Sequence, residues 1–257
     1  MRDQISITRN EALSGNIKFH YGNLNLRSLQ SAEGLKLPEM VGRGLYLGSL
    51  RSIKGLELPR KVGGDLNLRS LQSAEGLELP ESVGGYIDLF SLKSADGLEL
   101  PRKVGGDLYL GNLQSADGLE LPESVGGDLD LWSLGSTDGL DLPRMVGGNL
   151  SLSNLRSIKG LELPRKVGGD LDLFSLQSAE GVTLPESVGR DLNLRSLESA
   201  EGLKLPEMVG GYLSLSSLRS IKGIQFPEEI GGNLVLGNLR SAKKEKLRKI
   251  YPHLNII

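Results

Sequence analysis

The stretch Asp128-Leu129-Asp130-Leu131-Trp132-Ser133-Leu134-Gly135-Ser136 returns as Asn149-Leu150-Ser151-Leu152-Ser153-Asn154-Leu155-Arg156-Ser157, and the step from Leu129 to Leu150 is 21 residues. Eleven such starts run from Asn23 to Asn233. Self-similarity at a short fixed period is the signature of a solenoid, in which each unit buries its apolar face only against its neighbours. Numbered from its first residue, the unit reads x-Leu-x-Leu-x-(Ser/Asn)-Leu-x-Ser-(Ala/Ile)-x-Gly-Leu-x-Leu-Pro-x-x-Val-Gly-Gly, and positions below refer to this frame.

Two alternating runs sit in each unit, at positions 2 to 4 and 13 to 15, and alternation marks strands with one buried face. No window inside the repeats carries a sustained helical apolar period. The pattern predicts a mainly β fold: a parallel β-solenoid of about eleven coils, each built from two short strands and their corners. At about 4.8 Å per coil the rod is roughly 50 Å long. Positions 2, 4, 7, 13, 15 and 19 point inward, so Leu129, Leu131, Leu134, Leu140, Leu142 and Val146 are expected in one buried layer.

The corners account for the other constant residues. Gly at position 12 (Gly34 to Gly223) and at position 20 (Gly42 to Gly231) is expected to supply a positive φ or a close backbone approach. Position 21 accepts Arg43 and Arg190, so its geometry is less demanding. Pro at position 16 is expected to end the ladder of the second strand. Ser at position 9, from Ser31 to Ser241, is expected to be buried and to bond turn backbone. The alternative is an exposed hydroxyl array of the ice-binding kind, which the scarcity of Thr disfavours.

The ends break the repeat. Residues 1–22 read as an N-terminal cap, with Ile5, Ile7, Ile17 and Phe19 closing that end; residues 23–241 form the solenoid, and residues 242–257 a capping helix and tail. Ser241 is the expected N-cap, with Glu245 in the first turn, Pro252 as terminator, and Leu247, Ile250 and Leu254 over the last coil.

Composition narrows the function. The 257 residues contain 35 Gly and no Cys, which leaves no disulfide framework, thiolate metal site or Cys nucleophile. Thirty Lys plus Arg against 32 Asp plus Glu give no field that would draw nucleic acid or an anionic membrane. No signal-peptide core or membrane-spanning run is present, so a cytoplasmic location is expected. His20 and His253 lie at opposite ends and no insertion interrupts the coils, so no catalytic, cofactor-binding or metal-binding residue is assigned and an enzyme is not expected. Position 17 alternates in sign between many neighbouring coils, which predicts ion pairs along that column. Position 14 stacks Glu57, Glu78, Glu99, Glu120, Asp141 and Glu162; either a divalent cation bridges them, or Lys and Arg at positions 11, 17 and 18 lean in.

The string Leu-Pro-Glu-Ser-Val-Gly-Gly-Asp-Leu-Asp-Leu at residues 121–131 resembles bacterial leucine-rich-repeat-like proteins of short period, and the resemblance covers residues 23 to 241. It implies a right-handed solenoid whose strand face binds another protein. The chain departs from the standard pattern, which places Asn three residues after the second strand Leu; Ser133 and Asn154 follow Leu131 and Leu152 by two. A second Leu-x-Leu also stands where that family has helix, which favours a straighter β-solenoid over a curved horseshoe.

Position 5 carries the candidate surface. It is Arg, Gly or Ser in most coils but Phe90, Trp132 and Phe174 in three alternate ones, about 9 to 10 Å apart once stacked. Tyr109 lies at position 3 of an intervening coil and Tyr46 further along, and Arg69, Arg195, Asp88, Asp130 and Asp172 flank the row. Aromatics with a charged rim have the makeup of an interface core. The expected role is a non-catalytic scaffold binding a protein or a second copy of itself. Alternatives are a structural or self-associating rod, a duplicated or designed repeat without an evolved ligand, and a polysaccharide-active or ice-binding solenoid.

Overall fold

The computed structural model describes residues 18–257, so Ile5, Ile7 and Ile17 of the expected N-terminal cap lie outside the described residues. The chain is a parallel β-solenoid with two sheets. One has 12 strands, eleven of them recurring every coil at positions 2 and 3 from Leu24–Asn25 onward and the twelfth being Asn255–Ile256; the other has 11, beginning at Phe19–His20 and recurring at positions 18 and 19. All pairings are parallel and in register, as in Leu129 on Leu150 and Val125 on Val146. One contiguous core of Leu, Val, Ile and Ala runs through the coils.

The second strand is not where alternation placed it. Positions 13 to 15 form no continuous ladder, and only the isolated bridges Glu78 to Glu99 and Glu99 to Glu120 remain there. The reason is local. The position 13 N–H is already used in a turn, donating to the position 10 carbonyl in Leu35 to Ala32 and Leu140 to Thr137, both at 3.0 Å. Pro at position 16 then removes a donor. A continuous ladder forms only beyond it, so Pro precedes the strand at positions 18 and 19 and does not end one.

Glycine makes that second sheet possible. At position 20 a Cβ would fall inside contact distance of the carbonyl oxygen one coil back, as Gly126 would meet Gly105 O. Position 12 needs glycine for a different reason, since its φ lies between +67° and +81° in all ten coils from Gly34 to Gly223.

Of the expected buried layer, Leu129, Leu131, Leu134, Leu140 and Val146 are at most 5% exposed, whereas Leu142 is only partly buried. Position 15 lies in the unpaired segment, and its neighbour Pro143 turns inward instead. Position 10 fills the remaining core space with residues such as Ala74, Ala116 and Ile158.

The position 9 serines are exposed, apart from a half-buried Ser115, and none is buried. Each from Ser31 to Ser220 still bonds backbone, accepting from the N–H two residues on at 3.0 to 3.4 Å. A hydroxyl at the start of a tight turn satisfies a donor that no ladder reaches, without leaving water.

Helix α1, Ser241–Ile250, closes the far end, but its N-cap is Arg240 without a side-chain bond and its first turn holds no acid. Leu247 and Leu254 are buried as expected, while Ile250 is 67% exposed. The tail then returns as the strand Asn255–Ile256 on Asn233–Val235 and covers the edge of the 12-stranded sheet. Ion pairs run along columns, in Arg60–Glu81 and Arg165–Glu186 at position 17 and Lys159–Glu180 at position 11. Among the described residues no ion pair reaches the position 14 column.

Two substitutions test this packing by chemical denaturation. Leu131→Ala is expected to cost about 2 to 5 kcal/mol through a cavity at a fully buried site. Gly126→Ala, a change of one methyl, is expected to cost about 1 to 3 kcal/mol, because the obstructing atom is backbone. A neutral Gly126→Ala would show that the coils can part there without loss.

Candidate binding face

The 12-stranded sheet turns positions 1, 3 and 5 outward. Each column has its own chemistry. At position 1 the side-chain Oδ1 of Asp or Asn accepts the backbone N–H of position 1 in the next coil: Asp107 from Asp128 at 2.8 Å, Asp128 from Asn149 at 2.7 Å, and Asp191 from Tyr212 at 2.7 Å. At position 3 the same atom accepts the position 5 N–H within its own coil, as in Asp88 to Phe90 at 3.1 Å, Asp130 to Trp132 at 3.2 Å and Asp172 to Phe174 at 3.0 Å. These bonds fix the turn that presents position 5.

Phe90, Trp132 and Phe174 stand in line on alternate coils, with Trp132 44% and Phe174 41% exposed and Phe90 half-buried. Phe90 and Trp132 both close over Gly111, where an added Cβ would lie 2.8 Å from Phe90 Cε2. Tyr109 pairs with Asp88 and Asp130 in the sheet, stacks edge-on against Tyr86 with centroids 6.1 Å apart, and donates its hydroxyl to Asp107 Oδ2 at 2.6 Å. That bond to a carboxylate, with burial, holds the phenol protonated well above its ordinary range. Tyr46 is separated from this row by the coil of Asn67 and Arg69; it lies under Arg27, whose guanidinium is 4.5 Å from the ring centre.

Arginines bracket the row. Arg69 sits 4.6 Å over Phe90 and Arg195 5.7 Å over Phe174. Arg69 also reaches Asp88 at 3.6 Å, and Asn67 donates to the same carboxylate at 3.3 Å. Burial pushes Asp88, Asp130 and Asp172 above the usual carboxylate range.

Two hollows of about 330 Å³ open on this face, three coils apart. The first is lined by Tyr109, Asp128, Asp130, Trp132, Asn149, Ser151 and Ser153; the second by Asp170, Asp172, Phe174, Asp191, Asn193, Arg195, Tyr212 and Ser214. The aromatics and position 3 acids are legible in the sequence, but the position 1 acids and the serine floor were missed. A signal existed, because positions 3 and 5 vary together. Asp precedes an aromatic, Asn precedes Arg in Asn67/Arg69 and Asn193/Arg195, Tyr precedes Gly in Tyr46/Gly48 and Tyr109/Gly111, and Ser precedes Ser in Ser151/Ser153.

No three His, Cys, Asp or Glu side chains converge to hold a metal among the described residues. Comparison with protein-family models, curated proteins and solved structures finds no match for the chain.

Asp130 offers a test of the electrostatics. Its carboxyl is raised, so its contribution to stability is present in acid and lost as pH rises through the raised value. Asn at this position keeps the Oδ1 acceptor, as Asn67 does for the Arg69 N–H. Asp130→Asn is therefore expected to raise the melting temperature at pH 7, with the gain shrinking as pH falls through the carboxylate range. A lower melting temperature at neutral pH would mean that the charge is compensated.

Proposed function

We propose that the chain is a non-catalytic repeat scaffold, leucine-rich-repeat-like, that binds another protein through the position 1, 3 and 5 face of its 12-stranded sheet. The observation that carries this reading is the row Phe90, Trp132 and Phe174, left half-exposed on a regular sheet and rimmed by Asp and Arg. Large aromatics beside desolvated polar groups are the usual makeup of interface anchors. The sheet presents them with little freedom, which lowers the ordering cost of association.

The face carboxylates support a binding role over a catalytic one, since Asp88, Asp130 and Asp172 each spend an oxygen on the turn beneath them. His20 bonds the Asn23 carbonyl at 3.0 Å, at the end opposite His253. No helix among the described residues is long and apolar enough to cross a membrane, and the nearly balanced charge offers nothing to nucleic acid.

Quantitative affinity capture with the wild type and a Trp132→Ser/Phe174→Ser variant tests the face. Serine already stands at position 5 in Ser153 and Ser216, so the fold accepts it. A partner retained by the wild type and lost by the variant is the expected result. Sedimentation at rising concentration separates a foreign partner from a second copy. Identical capture by both proteins, with Trp132 emission that of a fully solvated indole, would end the proposal.

A further inference from the structure

The three aromatic coils are built alike but not completed alike. At Phe90 the protein supplies its own cation, Arg69, which covers the ring and reaches Asp88. At Phe174 the covering group is Arg195, and Asn193 donates to Asp172 at 3.0 Å. The central coil has neither. Among the described residues no guanidinium lies over Trp132, and Asp130 accepts only the Trp132 N–H, leaving its Oδ2 free. The two coils beside the central one carry Gly111 and Ser153 at position 5, where an arginine stands beside each outer ring, and Ser153 is hydrogen-bonded to Ser151 at 3.2 Å. Those two serine side chains line the hollow of about 330 Å³ beside the indole.

We infer that this central hollow receives an arginine side chain from an extended segment of the partner protein, stacked on Trp132 and paired with Asp130. The inference rests on the protein-binding reading and names the chemistry of its anchor. Charge complementarity supports it: Asp128 and Asp130 both line the hollow and bring no cation of their own. Desolvation of Asp130 gains most from an arriving positive charge, because a buried carboxylate is costly until it is paired. Arginine fits better than lysine, since a planar guanidinium stacks on an aromatic face while still donating in its own plane. Arg69 and Arg195 already lie over the outer rings of the row. Ionised carboxylates turn away an acidic partner, and an apolar anchor would leave Asp130 buried and unpaired.

Trp132 is the single tryptophan, so its emission reports on the hollow directly. The probe is the neutral-flanked peptide acetyl-Gly-Ser-Arg-Ser-Gly-amide, titrated beside its citrulline and lysine analogues, acetyl-arginine amide and cellohexaose. The arginine peptide is expected to change Trp132 emission saturably. The citrulline peptide should bind at least tenfold more weakly, and the lysine peptide and acetyl-arginine amide should both bind more weakly than the arginine peptide. Asp130→Asn should weaken the arginine peptide at least fivefold with unchanged melting behaviour or a higher melting temperature. Equal binding of arginine and citrulline peptides, of arginine and lysine peptides, or of peptide and acetyl-arginine amide, or no response to the arginine peptide, overturns the inference. The protein-binding reading survives those results if capture still depends on Trp132 and Phe174. Tighter binding of cellohexaose than of any peptide, with capture unchanged in the serine variant, overturns both.

Discussion

Each coil rests its position 20 glycine on the carbonyl of the glycine one coil earlier, and the rest of the molecule depends on that contact. With no Cβ in the way, the backbones close to hydrogen-bonding distance, as in Gly126 N to Val104 O at 3.0 Å. The second sheet forms at positions 18 and 19 because the chain enters it between proline and this glycine. Once two coils are held at that separation, the leucines of positions 2, 4 and 7 are stacked in register and the core is continuous. A coil without its neighbours would leave both backbone ladders unpaired, so stability belongs to the stack.

The period, the strand at positions 2 and 3, and most of the inward leucines were legible in the sequence because they follow from alternation and constancy. The second strand was not, because Leu-x-Leu at positions 13 to 15 alternates as well as any strand. Periodicity reports which side of the chain is apolar, whereas pairing depends on which N–H groups are still free, and the turn from position 10 to 13 had already used one. The serine column misled for a related reason. An invariant hydroxyl signals a constant backbone bond, and that bond is made here at the surface.

On the candidate face the aromatic row could be read from parity and the 42-residue step between Phe90, Trp132 and Phe174. Its electrostatics could not. The position 1 acids look like ordinary surface residues in the sequence, yet each bonds the backbone of the next coil and sits beside the rings. Tyr46, which parity places in the same column as Tyr109, belongs to a different local cluster because an arginine coil intervenes.

A regular solenoid makes departures from regularity interpretable, since every coil is a control for the others. Asn25/Arg27, Asn67/Arg69 and Asn193/Arg195 each set a guanidinium over the aromatic ring of a neighbouring coil. Asp with an aromatic is a costlier choice, because burial raises the carboxyl and the ring remains half-exposed. In the two outer coils these costs are offset by a neighbouring arginine over the ring and by Asn67 or Asn193 donating to the carboxylate. In the central coil the same costs are incurred without that offset, and the neighbouring coil is reduced to serine where a side chain could have filled the space. Packing alone gives no reason to leave the middle of three equivalent positions incomplete; a group supplied by another molecule does.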